Sequence, residues 1–385
     1  MSADNSTFIP EADSSVDTGY RKAYTTSCGV AYQGDSKQLL LSDEIEANSV
    51  DLLFMSPPFA LLRKKDYGNE AADKYVAWFL EFTKSFLRVL RDSGSLVIDI
   101  GGAYQAGRPA RSVYHFQLAV ELAKEFDLCQ EFYWYNPAKL PAPVEWVNVR
   151  RIRVKDSVNP VFWFSRDATN TKADNTRVLK RYSDSMQGLL RNGYQYGTRP
   201  SGHDISRSFL NDRGGSIPPN LLGSAEPALE DGPSFESYFP NLIAVSNTVS
   251  NDRYLRHCRE SLVKPHPARF PVGLPAFFIE FLTERGDLVC DPFAGSNVTG
   301  QAAESLGRRW ISCDLDQEGS RKDTYVRASA FRFPNAKFEP GFEGKLEGTY
   351  EPKSNNVAPP QGTETVGAQS PLFPPDISLN GEIDR

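Results

Sequence analysis

Short apolar runs alternate along the chain with stretches in which apolar side chains recur every three or four positions. Runs of about four to eight apolar residues predict buried strands, and the wider spacing predicts helices that pack by one face. Strands are predicted at residues 29–33, 50–55, 95–100, 129–135, 161–164, 287–290 and 310–313, and helices at 76–90, 113–126, 274–282 and 297–306. Strands that alternate with helices form βαβ units, so the pattern indicates an α/β protein with a mostly parallel sheet.

The alternation is confined to two parts of the chain, residues 26–167 and 246–335. Residues 1–25 are mostly polar and predict a flexible leader. Residues 336–385 are rich in Pro, Gly, Ser, Asn and Glu, which predicts a disordered tail. Residues 168–245 are rich in Gly and Pro, and they predict an inserted module or long loops between the two halves.

The composition fits a large globular protein of 385 residues, 40% of them hydrophobic. No apolar run approaches the ~20 residues of a membrane span, and the amino terminus lacks the features of a secretion signal. The five cysteines are far apart and form no Cys-x-x-Cys pair. Neither a disulfide framework nor a metal site is therefore expected, and this use of cysteine fits a reducing cytoplasm.

Charge is distributed unevenly. The net charge is −6, which argues mildly against indiscriminate binding to nucleic acid. Residues 150–213, however, contain thirteen basic and only six acidic side chains, interleaved with aromatic ones. Two interpretations stay open: an ordinary solvated surface, or a nucleic-acid contact in which cations bind phosphates and flat side chains stack on bases.

Two turns directly follow predicted strands. Residues 56–59, Ser-Pro-Pro-Phe, follow the strand 50–55, and residues 291–297 follow the strand 287–290. Open α/β sheets carry their chemistry on loops at the carboxyl ends of strands. A rigid Pro-Pro turn that ends in an aromatic residue suits a flat substrate group, and a small-residue turn that enters a helix suits a nucleotide-like cofactor.

The second turn has features of a cofactor site. Gly295 lacks a Cβ, so its backbone permits close approach by a ligand, and Asn297 is a residue type that tolerates positive φ. Asp314 ends the next strand at the ~20-residue spacing at which an acid meets ribose hydroxyls. Asp291 is placed to accept hydrogen bonds from an amino-bearing ligand, such as the methionine moiety of S-adenosylmethionine.

Other cofactors match this turn less well. Residues 295–300 resemble the start of a phosphate-binding loop, but Gln301 and Ala302 stand where Lys and Ser or Thr are required. The nicotinamide fingerprint Gly-x-Gly-x-x-Gly is absent, which disfavours an oxidoreductase. Acids beside the turn would repel a pyrophosphate and suit a cationic sulfonium. An ordinary strand-to-helix turn without a ligand remains an alternative.

The first turn suits catalysis at an amino group of a nucleic-acid base. Such a nitrogen is a poor nucleophile because its lone pair is conjugated with the ring. Ser56 offers a hydroxyl and Pro57 a carbonyl on a stiff backbone, and two such acceptors would draw the nitrogen toward tetrahedral geometry. Phe59 offers stacking and stabilisation of developing positive charge. In a duplex the base must first leave the stack. No cysteine follows a proline, which argues against methylation at a ring carbon.

In their order along the chain, these motifs resemble those of the beta-class DNA amino-methyltransferases. The resemblance rests on residues 32–36 (Tyr-Gln-Gly-Asp-Ser), 49–59, 264–271 (Lys-Pro-His-Pro-Ala-Arg-Phe-Pro) and 291–297, and it covers roughly residues 30–330. The family usually has glycine where Asn297 stands.

The resemblance implies a Rossmann-like, mostly parallel seven-stranded methyltransferase sheet with one antiparallel strand, and S-adenosylmethionine as methyl donor. Serine at the first catalytic position is typical of cytosine-N4 methylation, with adenine-N6 methylation as the alternative and a non-catalytic DNA-binding module as a remote one. The implied catalytic residues are Ser56, Pro57, Pro58 and Phe59. The implied cofactor residues are Asp35 near the adenine, Asp314 near the ribose, and Phe270, Asp291, Pro292, Phe293, Ala294, Gly295, Ser296 and Asn297.

Residues 168–245 occupy the place of the family's target-recognition region. Candidate DNA contacts there are Arg199, Ser201, His203 and Arg207, although residues 199–203 are equally consistent with a structural turn. The expected partner is double-stranded DNA, with a possible cognate restriction endonuclease acting on the same site. The enzyme is expected to be a monomer or weak dimer acting on DNA in a bacterial or archaeal cytoplasm, away from membranes.

Overall fold

The structure is a computed structural model. It describes residues 19–60, 70–136, 139–193, 197–198, 204–205, 211–222, 252–263, 265–315, 323–340 and 342. The chain divides into two units, residues 1–350 and 351–385, and every described residue belongs to the first. Among the described helices, none is long and apolar enough to cross a membrane.

The described part of the chain forms twelve strands and nine α-helices. The strands are β1 Tyr20–Thr25, β2 Gly29–Gly34, β3 Val50–Met55, β4 Leu90–Asp99, β5 Asp127–Tyr135, β6 Val158–Ser165, β7 Gly197–Thr198, β8 Asp204–Ile205, β9 Leu221–Leu222, β10 Leu288–Asp291, β11 Arg309–Asp314 and β12 Lys337–Phe338. The helices are α1 Ser36–Leu41, α2 Tyr75–Leu80, α3 Thr83–Val89, α4 Tyr114–Leu122, α5 Asp184–Asn192, α6 Arg253–Glu260, α7 Gly273–Leu282, α8 Val298–Ser305 and α9 Asp323–Ser329. A π-helix covers Glu145–Val149, and short 3₁₀ turns cover Ala168–Asn170, Asn175–Val178 and Ala330–Arg332.

Ten of the described strands form one sheet in the order β12-β1-β2-β11-β10-β3-β4-β6-β5-β9, and β7 and β8 pair separately. From β2 to β4 the strands are parallel. Strand β6 is antiparallel to both of its neighbours, β4 and β5. The seven strands from β2 to β5 therefore confirm the predicted sheet with one antiparallel strand, and β1, β9 and β12 extend it at the edges.

The central strands are covered on both faces, as their continuous apolar sequences predict. Every residue of β3 is buried. Because successive side chains of a strand point to opposite faces, Leu53 packs with the aromatic side chains of α2 and α3, whereas Phe54 packs with α7 on the other side. Parallel strands sandwiched between two helical layers give the rigid scaffold on which the loops at the strand ends are held.

Three boundaries differ from the sequence-based prediction. The predicted leader at 1–25 is wrong over Tyr20–Thr25, which pairs with β2 and β12. The first residues of β1 alternate poorly, since Arg21 and Lys22 are exposed, so its partners rather than its pattern specify the strand. The predicted tail at 336–385 begins too early, because β12 joins the sheet and Phe342 is buried. The helix predicted at 76–90 is divided into α2 and α3.

The strand register brings the carboxyl ends of five neighbouring strands to one edge of the sheet. Cys290 of β10 lies opposite Leu53 of β3, and Met55 of β3 lies opposite Ile98 of β4. Adjacent strands are about 4.8 Å apart. Across the sheet, the polar residues at this edge follow the order Asp35, Asp314, Asp291, Ser56 and Asp99.

Candidate active site

The end of β3 presents the hydroxyl group of Ser56. Its Oγ donates a hydrogen bond of 2.9 Å to Oδ2 of Asp99, the last residue of the adjacent strand β4. Ser56 is partly exposed, whereas Asp99 is only 1% exposed. Because a hydroxyl has one proton and two lone pairs, donation to Asp99 leaves the lone pairs of Ser56 to accept hydrogen bonds from a ligand.

Asp99 lies at the centre of a buried polar network. Nδ2 of Asn159 lies 3.5 Å from Asp99 Oδ1, and Nζ of Lys139 donates to Asn159 Oδ1 at 3.1 Å. Burial raises the pKa of Asp99 to about 6, and the hydrogen bonds and the charge of Lys139 oppose that rise. The carboxyl group is therefore ionised at neutral pH, close to the range in which it can exchange a proton.

The ring of Phe59 packs closely against the loop that follows β4. A Cβ added to Gly101 would lie only 2.5 Å from Cε2 of this ring, so the contact requires glycine. The hydroxyl of Tyr114 donates to the carbonyl of Gly101 and fixes the loop from behind. Phe59 remains partly exposed, three residues after Ser56.

Asp291 holds the second turn together from within. Its Oδ1 accepts the backbone N–H of Phe293 at 3.0 Å, and its Oδ2 accepts the hydroxyl of Thr299 at 2.5 Å. The residue is 1% exposed, and burial raises its pKa to about 7. The structure thus gives Asp291 a positioning role in the turn, with little surface for the direct ligand contact predicted from the sequence.

The turn enters α8 through a left-handed residue. Asn297 has φ 54° and ψ 46°, as predicted for asparagine at this position. Its Oδ1 accepts the N–H of Gly300 at 3.0 Å, and its Nδ2 donates to the hydroxyl of Tyr24 at 2.9 Å. The side chain therefore caps the helix and ties it to β1, which glycine, the residue usual in the family, has no side chain to do.

Gly295 is the point at which three chain segments meet. Its N–H donates to Oδ2 of Asp314 at 2.6 Å, which joins the turn to the end of β11. Its φ is +51°, and an added Cβ would lie 3.1 Å from Cε1 of His266. Burial lowers the pKa of His266, so its ring is neutral at neutral pH. The motif at 264–271 thus contacts the turn directly, through the ring of His266.

A buried arginine fixes the next residue of the turn. The guanidinium of Arg332 donates to the carbonyl oxygen of Ser296 at 2.5 Å and to its Oγ at 3.0 Å. It also donates to Oε1 of Gln301 at 2.8 Å and lies 4.5 Å from the ring centre of Tyr254. The turn is consequently held from both sides, by Asp314 and by Arg332.

The remaining predicted cofactor residues occupy different surroundings. Phe293 packs against an aromatic cluster of α2 and the residues that follow it, with ring centres 5.2 Å apart for Phe82. Phe270 packs edge-on against Phe54 of β3 at 5.6 Å. Asp35 is partly exposed and caps α1 by accepting the N–H of Lys37 at 2.8 Å.

The structure brings the catalytic and cofactor motifs to one edge, but it does not test the predicted DNA contacts. Arg199, Ser201, His203 and Arg207 lie outside the part of the chain whose side chains are described. Sequence reasoning missed Asp99, Asn159, Lys139 and Arg332, and it gave His266 no role beyond its place in the motif at 264–271. Only Asp99 carried a usable signal, since it is an acid at the end of an apolar run, the same pattern that identified Asp291.

This geometry has counterparts among known proteins. The profile of the DNA methylase family matches residues 50–322. The Type II methyltransferase M.PvuII of Proteus hauseri is 49% identical over 320 residues, which cover 82% of this chain and 86% of the relative. The DNA adenine methyltransferase YhdJ of Escherichia coli (strain K12) is 23% identical over 279 residues, which cover 71% of this chain and 75% of the relative.

A solved structure is also similar. The PvuII DNA methyltransferase, described as cytosine-N4-specific, superposes with a TM-score of 0.59 at 43% sequence identity. The superposition covers 80% of this chain and 87% of that one. At this identity and coverage, the likeness extends beyond the fold to the sequence.

Proposed function

The chain belongs to the DNA methylase family, and we propose that it transfers a methyl group from S-adenosylmethionine to the exocyclic N4 amino group of cytosine in double-stranded DNA. One observation carries the proposal. A serine hydroxyl bonded to a buried carboxylate lies at the end of β3, next to the glycine turn that follows β10. An acceptor for an amino group and a turn suited to a nucleotide-like cofactor thus meet at one edge of the sheet.

The residues of the turn fit S-adenosylmethionine. Gly295 has left-handed backbone geometry, and an added Cβ would lie 3.1 Å from the ring of His266, so the tight turn favours glycine at this position. Asp35 and Asp314 lie at the ends of the neighbouring strands β2 and β11. Carboxylates at these positions suit ribose hydroxyls and the positive charge of a sulfonium. When bound, the cofactor supplies an electrophilic methyl group on sulfur.

Ser56 and Pro57 prepare the amino group for attack. The lone pairs of the Ser56 hydroxyl accept one N–H of the extruded cytosine, because the hydroxyl proton is donated to Asp99. The carbonyl of Pro57 accepts the other, on a backbone that two prolines stiffen. Two acceptors draw the nitrogen toward tetrahedral geometry and release its lone pair from the ring. Phe59 stacks on the base and stabilises its developing positive charge.

Asp99 receives the proton that the reaction releases. Methyl transfer leaves the nitrogen with a positive charge and one proton in excess. Ser56 takes this proton as it passes its own to Asp99, so the hydroxyl is regenerated and the carboxylate becomes neutral. The pKa of about 6 on Asp99 allows both acceptance and later release of the proton near neutral pH.

Cytosine is the base that the observations favour. Serine stands at the first position of the catalytic motif, and the similar solved enzyme is described as cytosine-N4-specific. The adenine methyltransferase with which the chain also shares similarity is only 23% identical. Adenine-N6 methylation is therefore the second candidate.

Analysis of the methylated product tests the proposal. The enzyme is incubated with labelled S-adenosylmethionine and duplex DNA of varied sequence, and the hydrolysed nucleosides are identified by mass spectrometry. N4-methylcytosine is the expected product. N6-methyladenine would replace the proposal by its alternative, and label found only in RNA or protein would overturn both.

In the cell, we propose that this methylation protects DNA from a restriction endonuclease that cuts the same sequence. The Type II name of the 49% identical relative supports this context. Plasmid DNA from cells that express the enzyme is digested with a panel of endonucleases, and protection at one sequence is expected. A plasmid that carries N4-methylcytosine but stays sensitive at every methylated site would show that methylation has another role.

A further inference from the structure

An arm of exposed apolar residues projects beside the catalytic edge. Residues 139–155 connect β5 to β6, and we call this segment the β5–β6 arm. Because β5 runs parallel to β4, the arm leaves the sheet at the same edge as Asp99. It carries five largely exposed apolar side chains: Leu140 (80%), Val144 (58%), Val149 (65%), Ile152 (55%) and Val154 (85%). Such a concentration of exposed apolar surface indicates a binding site.

The arm is an ordered structure. The N–H of Arg150 donates to the carbonyl of Glu145 at 2.8 Å, and the N–H of Ile152 donates to that of Trp146 at 3.0 Å. Arg151, at the reversal between them, has a positive φ of 53°, a conformation uncommon for arginine. These backbone bonds order the arm before it meets a ligand. Binding therefore costs little further conformational entropy of the arm.

The base of the arm is fixed to the catalytic network. Lys139 at its start bonds to Asn159, which bonds to Asp99. Just beyond its other end, Asp156 pairs with Arg111 at 2.8 Å. The start of the arm is therefore linked, through Asn159, to the carboxylate that binds the hydroxyl of Ser56.

The charges of the arm complement a polyanion. Four of its last six residues are basic, namely Arg150, Arg151, Arg153 and Lys155. The guanidinium of Arg150 lies 5.1 Å from the ring centre of Trp146 and is exposed. Exposed Arg150, Arg151 and Lys155 lie close in sequence to exposed Ile and Val side chains. This mixture combines phosphate contact with the apolar wedges that proteins insert between base pairs.

We propose that the β5–β6 arm enters the DNA at the position vacated by the extruded cytosine. The apolar side chains of Val149 and Ile152 occupy the gap in the stack, while Arg150 and Arg151 contact the flanking phosphates. This inference rests on the proposed function, and it assigns to a second surface, outside residues 168–245, the task of keeping the base extruded.

Serine substitutions at the apolar positions test the wedge. The double variant Val149→Ser/Ile152→Ser is compared with Val120→Ser, which changes an equally exposed apolar side chain on α4. On a duplex that carries the unmethylated target sequence, the double variant is expected to lose roughly tenfold or more in kcat/KM. Extruding a paired base costs more free energy than a tenfold change in an equilibrium constant represents, so loss of the wedge can produce an effect of this size. On a duplex whose target cytosine is mismatched, most of the loss is expected to disappear, because the base is already unpaired. Val120→Ser should match wild type on both.

Glutamine substitutions test the phosphate contacts. Arg150→Gln and Arg151→Gln are each expected to reduce the slope of log affinity against log salt by about one, uniformly across DNA sequences. Lys84→Gln on α3 is the matched control, and its slope should equal that of wild type.

The outcomes separate this inference from the proposed function. Wild-type enzyme that methylates no DNA would overturn the proposed function and the inference with it. Active wild type with an equally active Val149→Ser/Ile152→Ser variant would overturn the inference alone. An equal loss on paired and mismatched duplexes would also overturn the wedge role. So would sedimentation data in which the double variant is a monomer and wild type a dimer, because the arm would then join two copies.

Discussion

At the scale of single residues, the proposed chemistry depends on the hydroxyl of Ser56 and the ring of Phe59. We expect Ser56→Ala and Phe59→Ala each to reduce kcat by about 10²–10⁴, the range typical of groups that act on a transferred proton or developing charge. Neither side chain holds the turn at 291–297, so S-adenosylmethionine affinity, measured by isothermal titration calorimetry, should stay near that of wild type. Wild-type turnover in either variant would contradict its assigned role.

The Asp99 carboxyl sets the expected response to pH. Burial raises its pKa to about 6, and only the ionised form accepts both the Ser56 hydroxyl and the released proton. We therefore expect kcat/KM to fall as pH drops below about 6 and to be flat up to about pH 8. Steady-state rates across this interval measure the profile.

Lys139 supplies the control for that assignment. Its positive charge lowers the pKa of Asp99. Lys139→Met should therefore move the fall of kcat/KM at low pH to higher pH values. Asp99→Asn should abolish this fall, along with most of the activity. If kcat/KM of Lys139→Met falls at the same pH as that of wild type, a group other than Asp99 controls the pH dependence.

The sequence predicted a residue's conformation correctly where that conformation depends on the residue's own type. Asn297 has the left-handed conformation that its residue type favours. Asn159, Lys139 and Arg332 were missed because their roles arise from partners far along the chain. Arg332 bonds to Ser296, 36 positions away, and nothing in the residues around it marks it as buried.

At the scale of elements, the turn that leads into α8 depends on Arg332. We expect Arg332→Met to lower the free energy of unfolding by about 2–3 kcal/mol, because the carbonyl and hydroxyl of Ser296 lose a charged donor in a buried place. The same change should weaken S-adenosylmethionine binding, since the turn loses one of its two anchors. Chemical denaturation and titration calorimetry measure the two effects.

Matched variants make this result specific. Arg332→Lys keeps the charge but lacks the planar fork, so an intermediate loss is expected. Arg256→Met changes an exposed arginine of α6 and should alter stability by less than about 0.5 kcal/mol. Stability and affinity equal to wild type in Arg332→Met would contradict the anchoring role.

The central strands were predictable from the sequence, whereas the strand β1 was not. Strands β3, β4, β10 and β11 were found because burial on both faces requires continuous apolar sequence. Strand β1 was missed because it lies near the sheet edge, where one neighbour is the two-residue β12. A strand specified by distant pairing partners has no periodic signature of its own.

At the scale of the whole molecule, alternation of strands and helices predicted the parallel sheet, but not how the inserted region is attached. That region was predicted to begin at residue 168. Lys172 nevertheless bonds to both Asp51 of β3, at 2.8 Å, and Asp287, at 2.9 Å. The start of the insert is thus fastened to the edge opposite the proposed active site. Charge pairing between residues more than a hundred positions apart is invisible to patterns of apolar spacing.

This attachment predicts that a substitution at Lys172 lowers the stability of the protein and leaves its activity unchanged. Asp51 is 2% exposed. Removing a partner from a buried carboxylate costs about 3–5 kcal/mol, and the remaining partners of Asp51, Arg91 and the N–H of Leu288, reduce that cost. We expect Lys172→Met to lower the free energy of unfolding by about 2–3 kcal/mol.

Because the pair lies at the amino-terminal edge of β3 and β10, kcat of the folded Lys172→Met enzyme should equal that of wild type. Lys124→Met is the matched control, because Lys124 pairs with Glu121 at 2.6 Å but is 61% exposed, and exposed pairs contribute at most about 1 kcal/mol. Urea denaturation and single-turnover methylation separate the two quantities. A Lys172→Met enzyme as stable as Lys124→Met would show that the insert is held by other contacts, and a reduced kcat in the folded enzyme would show that the two edges of the sheet are coupled.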